Sequence, residues 1–418
     1  MGEGRHPELR CPTTTWARPV PAGRVEFFDG TLATETEFES ARVFDTTLRD
    51  GEQAPRTSFS YDEKRTIAEA LDRMGTHVIE AGFPVNSDAE FEAVSDIAAS
   101  TSATTCGLAR IVEKDVEAAL DSGVEMVHVF ASTSDVQIED SMHATREEVV
   151  ERSVAAVERV KEAGATAMFS PMDATRTDED YLKQVVEAVS AVGVDWINIP
   201  DTCGVATPSR FGDVVRTVDE HSDARIDVHT HDDFGMATAN AIAGFEAGAD
   251  QAQVSINGIG ERAGNAAYEE VTMAVESVYG VDTGIDTTGI SELSAMVEEY
   301  SDVPVPANKP VVGDNAFAHE SGIHAAGVIE NSDTFEPGVM TPEMVGAERE
   351  FVLGKHTGAN SVRKRLEESG FVPTDEEVRT VTRRVKDYGA EKNAVTVADL
   401  ERFAREVGIT HEESEVRA

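Results

Sequence analysis

Short apolar or β-branched runs alternate with amphipathic stretches from position 41 onward, which is the pattern of βα units around a parallel sheet. The runs are RVFDTTLRD from Arg42, HVIEAGFP from His77, TTCGLAR from Thr104, MVHVFAST from Met126, TAMFSPMD from Thr166, WINIPDT from Trp196, RIDVHTHDD from Arg225 and QAQVSINGIGE from Gln251. Because eight units close a barrel, the pattern predicts an α/β fold of the (β/α)8 TIM-barrel class.

Three regions are expected along the chain. Residues 1–40 form a polar extension that contains proline and glycine, and residues 41–285 form the barrel. The alternation then stops, and residues 286–418 are expected to form a mainly helical C-terminal region that contributes to the active site. Two helices are predicted there, over 374–388 and 397–407.

Nearly every predicted strand finishes on a polar side chain. These are Asp50, Glu80, Arg110, Ser132 or Thr133, Asp173, Asp201 or Thr202, His229 with His231, and Asn257. The carboxyl ends of all barrel strands converge on one mouth, where the active site lies. We therefore expect these groups to face a shared cavity, and we expect Gln53, Glu80 and Arg110 to bind substrate there.

The chain is strongly acidic, with 79 Asp and Glu against 36 Lys and Arg and a formal charge of -43. Such a charge repels nucleic-acid phosphates and anionic lipid headgroups, so neither nucleic acid nor a membrane is an expected partner. Since the acid excess is spread along the whole chain, we interpret it as adaptation to a salt-rich cytoplasm. The alternative is an ordinary acidic enzyme.

The three cysteines, Cys11, Cys106 and Cys203, are odd in number and lack a CxxC spacing. They indicate neither a disulfide framework nor a cysteine zinc site. No run of about 18 apolar residues occurs, and the N-terminus has charges and prolines where a signal peptide needs an apolar segment. A cytoplasmic location is the expectation.

The segment HTHDD places His229 and His231 two positions apart on a strand, so both rings point to the same face. With Asp50 expected at the same mouth, they make a set of two imidazoles and a carboxylate that suits a divalent ion, Mg²⁺, Mn²⁺, Co²⁺ or Zn²⁺. The alternative is a hydrogen-bonded histidine pair in the core. Such an ion could hold a 2-oxo acid and polarise its carbonyl, and Arg49 could stabilise the resulting oxyanion.

The loop NGIGERAGN, residues 257–265, is glycine-rich but has neither a GK[ST] ending nor a GxGxxG register. Nucleotide-phosphate binding is therefore not its natural interpretation. We expect the glycines to let Glu261 and Asn265 approach the site closely.

Four segments, FDTTLRDGEQ, HTHDDFGMATAN, NGIGERAGNAAYEEV and HESGIHAAG, resemble in sequence and order the 2-isopropylmalate, homocitrate and citramalate synthase family. The resemblance spans about residues 41–405. Members condense acetyl-CoA with a 2-oxo acid and then hydrolyse the thioester, so the resemblance implies acetyl-CoA as co-substrate. It also implies a homodimer in which the region after the barrel reaches the partner's active site.

The resemblance implies a role for individual residues. The metal ligands would be Asp50, His229, His231 and Asn265, and Arg49 would stabilise the enolate or the nascent alkoxide. His324 would be the base, assisted by Glu261, and Thr202 would hold the substrate carboxylate.

Two positions depart from the family pattern. Met172 stands where relatives usually carry Glu, and Phe335 where they usually carry Tyr near the catalytic His. Neither side chain can transfer a proton. One interpretation is a shifted proton path through Asp173 or His319; the others are reduced activity, a changed substrate or a non-catalytic relative.

The acceptor is expected to be 2-oxoisovalerate, in leucine biosynthesis, with pyruvate and 2-oxoglutarate open. GFPVNS, residues 82–87, resembles the isopropylmalate and citramalate branches, whereas EQAP and SDVQI resemble some homocitrate synthases. Arg56 could pair with the second carboxylate of 2-oxoglutarate or could be a surface residue.

Other reaction classes fit less well. The 3-hydroxy-3-methylglutaryl-CoA lyases carry a cysteine in the glycine-rich loop, and this loop has none. Carboxyltransferases of the wider group need a carbamylated lysine on a strand, and no predicted strand end offers a lysine. Long isopropylmalate synthases begin a further regulatory domain at about the position where this chain stops, near residue 418. We therefore expect no feedback inhibition by leucine.

Overall fold

Eight parallel strands form a closed barrel in the computed structural model, which describes residues 38–320, 339–392 and 395–411. The strands are β1 Arg42–Asp45, β2 Val78–Gly82, β3 Thr104–Arg110, β4 Met126–Ser132, β5 Thr166–Met172, β6 Trp196–Asp201, β7 Arg225–Thr230 and β8 Gln251–Val254. They pair in sequence order, and β1 closes on β8 with Arg42 opposite Gln251. All eight strands lie within the runs that the sequence predicts, so the barrel prediction is confirmed.

The helices of the barrel lie between and after its strands. They are α1 Tyr61–Met74, α2 Asp88–Ser100, α3 Glu113–Asp121, α4 Asp135–Gln137, α5 Arg146–Glu162, α6 Glu179–Ser190, α7 Pro208–Asp219, α8 Ala237–Glu246 and α9 Tyr268–Met273. Shorter 3₁₀ or π segments are Gly51–Gln53, Ile138–Met142, Ala174–Arg176, Ile256–Gly258, Ala274–Tyr279, Thr287–Gly289 and Pro342–Val345. Helix α1 begins with a capping box in which the Ser60 and Glu63 side chains each accept from the other residue's backbone N–H.

Two apolar layers build the barrel. One lies between sheet and helices and includes Ile67, Val185 and Val215. The other fills the barrel interior and consists of Phe44, Val78, Cys106, Met126, Met168 and Trp196. Because this inner layer comes from the early parts of the strands, it packs the barrel below the mouth and leaves the carboxyl ends to polar groups.

The C-terminal region is mainly helical, as predicted. Its elements are α10 Ile290–Ser301, α11 Ala359–Glu368, α12 Asp375–Glu391 and α13 Val397–Val407, with short strands β9 Ala318–His319, β10 Glu350–Phe351, β11 Phe371–Val372 and β12 Thr410–His411. Helix α10 packs into the barrel core, whereas α11 to α13 share a separate core. The boundary at residue 285 stays a prediction.

Helix α13 has the predicted bounds, and α12 runs on to Glu391 after its cap at Thr374. Helix α11 is absent from the sequence prediction because only two of its apolar side chains, Val362 and Leu366, are buried. Among the described residues, no helix is long and apolar enough to cross a membrane. Residues 1–37 and 321–338, with the predicted base His324 and with Phe335, lie outside the described residues.

Candidate active site

A tight turn after β1 directs the first group of polar side chains over the barrel. The carbonyl oxygen of Thr46 accepts from the backbone N–H groups of Arg49, Asp50 and Gly51 at 3.1, 2.8 and 3.0 Å. The Thr46 hydroxyl accepts a further bond from the Asp50 N–H. The turn is thus closed on Thr46, and it holds Arg49 and Asp50 at the carboxyl end of the strand.

Asp50, His229 and His231 meet at this end of the barrel, and all three are buried. The two Nε2 atoms lie 3.0 Å apart, and Asp50 Oδ2 lies 3.6 Å from that of His229 and 3.8 Å from that of His231. Ligands about 2.1 Å from one ion and 90–110° apart are separated by about 3.0–3.4 Å. The spacing of the three atoms therefore approximates that of ligands around a single ion.

Two further observations fit a cation here. Asp50 Oδ2 and Asn265 Oδ1 are buried acceptors without a hydrogen-bond partner among the described residues. A buried acceptor without a donor is costly, and a cation would satisfy both. Asn265 is brought to the site by a bridge between its backbone and that of His231.

Electrostatics favour the ligand forms of these side chains. Burial lowers the pKa of His229 to about 3, and burial likewise lowers the pKa of His231, so both imidazoles are neutral. Burial alone would raise the pKa of Asp50, but the charge of Arg49 brings it below its usual value. A carboxylate and two neutral imidazoles are the forms that bind a divalent ion.

The glycine-rich loop places Asn265 through backbone contacts that side chains would prevent. A Cβ on Gly264, whose φ is +95°, would lie 1.9 Å from the Gly258 carbonyl oxygen. That same oxygen accepts from the Asn265 N–H at 3.0 Å. The loop can close on itself only with a glycine at this position.

Arg49 is held in the wall of the site by two carboxylates. Its Nε donates to Glu80 at 2.7 Å and its Nη1 to Asp50 at 2.7 Å. Burial would raise the pKa of Glu80, but Arg49 and His128 hold it well below the usual range. Glu80 also accepts from the Thr46 hydroxyl and contacts His128 Nδ1, so it orients neighbouring groups.

A cavity of about 220 Å³ opens beside this cluster. The predicted site residues that line it are Arg49, Asp50, Gln53, Thr202, His229, His231 and Glu261. The Thr202 oxygen accepts from the Asp173 N–H at 2.9 Å, which leaves its hydroxyl proton available to the cavity. Glu80 and Asn265 lie directly behind the lining, each in contact with a lining residue.

Five expected groups lie away from the cavity lining. One is the end of β4, Ser132 and Thr133, where the Thr133 hydroxyl hydrogen-bonds that of Thr177. Arg110 is largely exposed and donates to Asp115, and Asn257 exchanges hydrogen bonds with Ser294 on α10. The Asp173 carboxylate accepts from Ser134 and Arg176. Arg56 is exposed, with a φ of +77°. The strand ends converge, but Arg110, Asp173 and Asn257 have hydrogen-bond partners outside the cavity.

Several cavity residues were not identified from the sequence. They are Leu108, His128, Phe130, Ser170, Asn198, Pro200 and Arg262. Most lie inside strands β3 to β6, where alternation could have placed them on the inner face. Arg262 was named only within the loop motif; it pairs with Asp233 at 2.8 Å and donates to the Thr202 carbonyl oxygen.

Comparison with known proteins gives a consistent set of matches. Residues 40–297 match the family model described as HMGL-like, and residues 311–393 match the one described as homocitrate synthase post-HMGL domain-like. The chain is 50% identical over 360 residues to "Probable 2-isopropylmalate synthase" of Archaeoglobus fulgidus, with 86% of this chain and 72% of the relative covered.

Two other relatives are similar at comparable coverage. The "2-isopropylmalate synthase" of Sulfolobus acidocaldarius is 45% identical, over 88% of this chain and 96% of the relative. A Methanopyrus kandleri protein bearing the name of an (R)-citramalate synthase is also 45% identical, over 88% of this chain and 73% of the relative. Among solved structures, the Bacillus subtilis HMG-CoA lyase matches with a TM-score of 0.57 at 22% identity, covering 65% of this chain and 96% of that chain. At that identity the likeness concerns the fold.

Proposed function

The chain belongs to the 2-isopropylmalate, homocitrate and citramalate synthase family of acyltransferases, and we propose from this premise that it condenses acetyl-CoA with 2-oxoisovalerate. The products would be 2-isopropylmalate and CoA, in leucine biosynthesis. The observation that carries the proposal is the buried convergence of Asp50, His229 and His231 beside Arg49.

A divalent ion held by Asp50, His229, His231 and Asn265 would polarise the keto group of the acceptor. Arg49 has its Nε and Nη1 atoms engaged by carboxylates, which fixes the plane of its guanidinium. We assign its Nη2 edge to the oxygen that gains negative charge. The Thr202 hydroxyl is assigned to the acceptor's carboxylate.

The reaction needs a base that removes a proton from the acetyl methyl group. His324 remains the predicted base, with Glu261 at the cavity as its assistant. The enolate carbon then attacks the keto carbon, whose oxygen takes up a proton and becomes a hydroxyl. Water finally cleaves the thioester to a carboxylate and the CoA thiol.

The cavity wall supports an acceptor with an alkyl group. Leu108, Phe130, Met172 and Pro200 line it with apolar surface. A second carboxylate, as in 2-oxoglutarate, would lose hydration against such a wall. The two arginines that line the cavity are already paired, Arg49 with Asp50 and Glu80 and Arg262 with Asp233. Arg56, the cation that could have served, is exposed and is not a lining residue. Met172 in place of the family's usual Glu adds to this apolar character.

Pyruvate is the second candidate acceptor, because its methyl group also suits an apolar wall and a relative with a citramalate synthase name is 45% identical. The distinguishing experiment measures CoA release from acetyl-CoA with Mg²⁺ or Mn²⁺ in molar KCl. 2-Oxoisovalerate, pyruvate, 2-oxoglutarate and oxaloacetate are tested separately. We expect release with 2-oxoisovalerate to dominate.

Asp50→Asn provides the test of the site and Asp72→Asn, on α1 outside the cavity, its matched control. Asp72 hydrogen-bonds the backbone at Ser102 and Ala103, so its loss affects local packing only. The site variant should lose nearly all CoA release, whereas the control should keep it. No turnover of any acceptor by a folded wild-type protein that binds the metal would overturn the proposal.

The acidic surface supports adaptation to high salt, because screening would relieve repulsion among its carboxylates. The melting temperature should rise substantially from 0.1 M to molar KCl; a flat dependence would contradict this. A homodimer and a cytoplasmic location stay predictions.

A further inference from the structure

Two buried polar side chains lie inside the barrel beneath the proposed metal site. Asp227 on β7 and Gln253 on β8 are 0% and 1% exposed. Gln253 stands opposite His229 in the pairing of the two strands. Neither residue lines the cavity, so neither has a part in the chemistry described above.

We propose that Gln253, oriented by Asp227, is a positioning residue that holds His229 in the tautomer able to bind the metal. The inference rests on the proposed metal site and deepens it. Gln253 Oε1 lies 2.9 Å from His229 Nδ1, and Gln253 Nε2 lies 2.7 Å from Asp227 Oδ2. The three side chains form one line of hydrogen bonds that ends at the imidazole.

The orientation of the Gln253 amide decides which imidazole nitrogen carries the proton. With Oε1 toward His229, only a protonated Nδ1 can donate to it, and the Nε2 lone pair is then free to bind an ion. With the amide turned over, an NH₂ group would face Nδ1. The proton would then reside on Nε2, the atom that lies 3.0 Å from the His231 Nε2, and no lone pair would be available there.

The surroundings of Gln253 favour the first orientation. Its Nε2 faces two acceptors, Asp227 Oδ2 at 2.7 Å and the Met168 sulfur at 3.6 Å. A turned amide would direct its carbonyl oxygen at that sulfur, which has no proton to donate. Burial raises the pKa of Asp227 well above its usual value, so the carboxyl group alone could still bond to that oxygen. Because these side chains are buried, a polar group left without a partner there costs about 1–3 kcal/mol. The Met168 sulfur, which can only accept, therefore favours the observed orientation, Asp227 Oδ2 accepts a bond in it, and this orientation sets the tautomer of His229.

The test measures Mn²⁺ binding to the full chain by electron paramagnetic resonance, without substrate. Gln253→Met removes both hydrogen bonds at similar volume, and its Kd should rise about 10–100-fold, the usual effect of losing such a partner. Gln253→Glu keeps an oxygen acceptor for Nδ1 and should recover most of the affinity. Asp227→Asn can pair with either amide orientation, so its Kd should rise by a smaller factor.

Gln251→Met is the matched control. Gln251 lies two residues earlier on the same strand and is 0% exposed; it interacts with Arg42 and with Asp227 but not with His229, so it tests whether the direct bond to His229 matters. Its loss disturbs the barrel interior equally but should leave the Mn²⁺ Kd within about threefold of wild type. Melting temperatures of all variants establish folding, and Gln253→Asn replaces Gln253→Met if the latter does not fold.

The outcomes separate this inference from the proposed function. Wild-type protein that binds no Mn²⁺ would overturn the metal site and the inference together. Wild-type binding with an unchanged Kd in Gln253→Met, or an equal loss in Gln251→Met, would overturn the inference alone. An unchanged Kd in Asp227→Asn would overturn the role given to Asp227.

Discussion

Replacing Gly260 by alanine should displace Asn265 without straining the backbone. The φ of Gly260 lies outside the left-handed region, so alanine can adopt its conformation. The added Cβ would lie 2.4 Å from Asn265 Nδ2 and 3.1 Å from its Cγ, whereas ordinary contact begins at 3.4 Å. The amide must therefore move by about 1 Å, the difference between 3.4 and 2.4 Å.

The main chain of Asn265 cannot absorb this movement, because its N–H donates to Gly258 and its backbone is bridged to His231. The side chain must rotate away, and its oxygen leaves the proposed metal position. A misplacement of about 1 Å in a catalytic site can cost about 100-fold in rate, or about 2.7 kcal/mol of transition-state stabilisation. We expect a loss of that size in kcat/KM.

CoA release at fixed Mn²⁺ measures the effect. Gly212→Ala on α7 is the matched control, because its Cβ would meet no atom closer than 3.5 Å and alanine favours a helix. In an Asn265→Ala background, Gly260→Ala should lower kcat/KM little further, because the Asn265 amide that it would displace is already absent. A Gly260→Ala protein within threefold of wild type, or one that loses as much in the Asn265→Ala background, would refute the reasoning.

Three further predictions concern stability and substrate choice. Lys64 is 3% exposed and lies 2.7 Å from Glu52 and 2.6 Å from Glu90, so Lys64→Met should lower the free energy of unfolding by about 3 kcal/mol in urea titrations. Adding Glu90→Gln should recover part of the lost free energy, because it removes the repulsion between Glu52 and Glu90 that Lys64 had neutralised. No recovery would mean that this repulsion is not the cause of the loss. Arg56 has a left-handed φ of +77°, which glycine adopts more easily. Arg56→Gly should therefore raise the free energy of unfolding by about 0–1 kcal/mol. The preferred acceptor should stay unchanged. A switch of acceptor would contradict the surface location of Arg56. Burial raises the pKa of Asp45 to about 7 from its ordinary 3.8. Because the folded state holds this proton more tightly, wild-type stability relative to Asp45→Asn should fall between about pH 4 and pH 7, by up to about 4 kcal/mol, and stay level above that. If the stability of wild type relative to Asp45→Asn instead rose with pH over this range, the raised pKa of Asp45 would be refuted.

The sequence by itself determined the barrel and the identity of its mouth. Eight short apolar runs alternating with amphipathic helices leave few other ways to bury both faces of a parallel sheet. The spacing of His229 and His231 likewise places their rings on one face, because strand side chains alternate. Both features depend on the local periodicity of residue types, which is present in the sequence before the chain folds.

Only the tertiary structure decided which polar side chains face the cavity. Arg110 ends β3 and Asn257 follows β8, much as Thr202 follows β6, but the two side chains hydrogen-bond to Asp115 and Ser294 instead. His128 and Gln253 lie within strands and carry no motif of their own, yet they contact Glu80 and His229 on other strands. These partners are far apart in the sequence, and a side chain bonds to whichever group the closed barrel brings within about 3 Å.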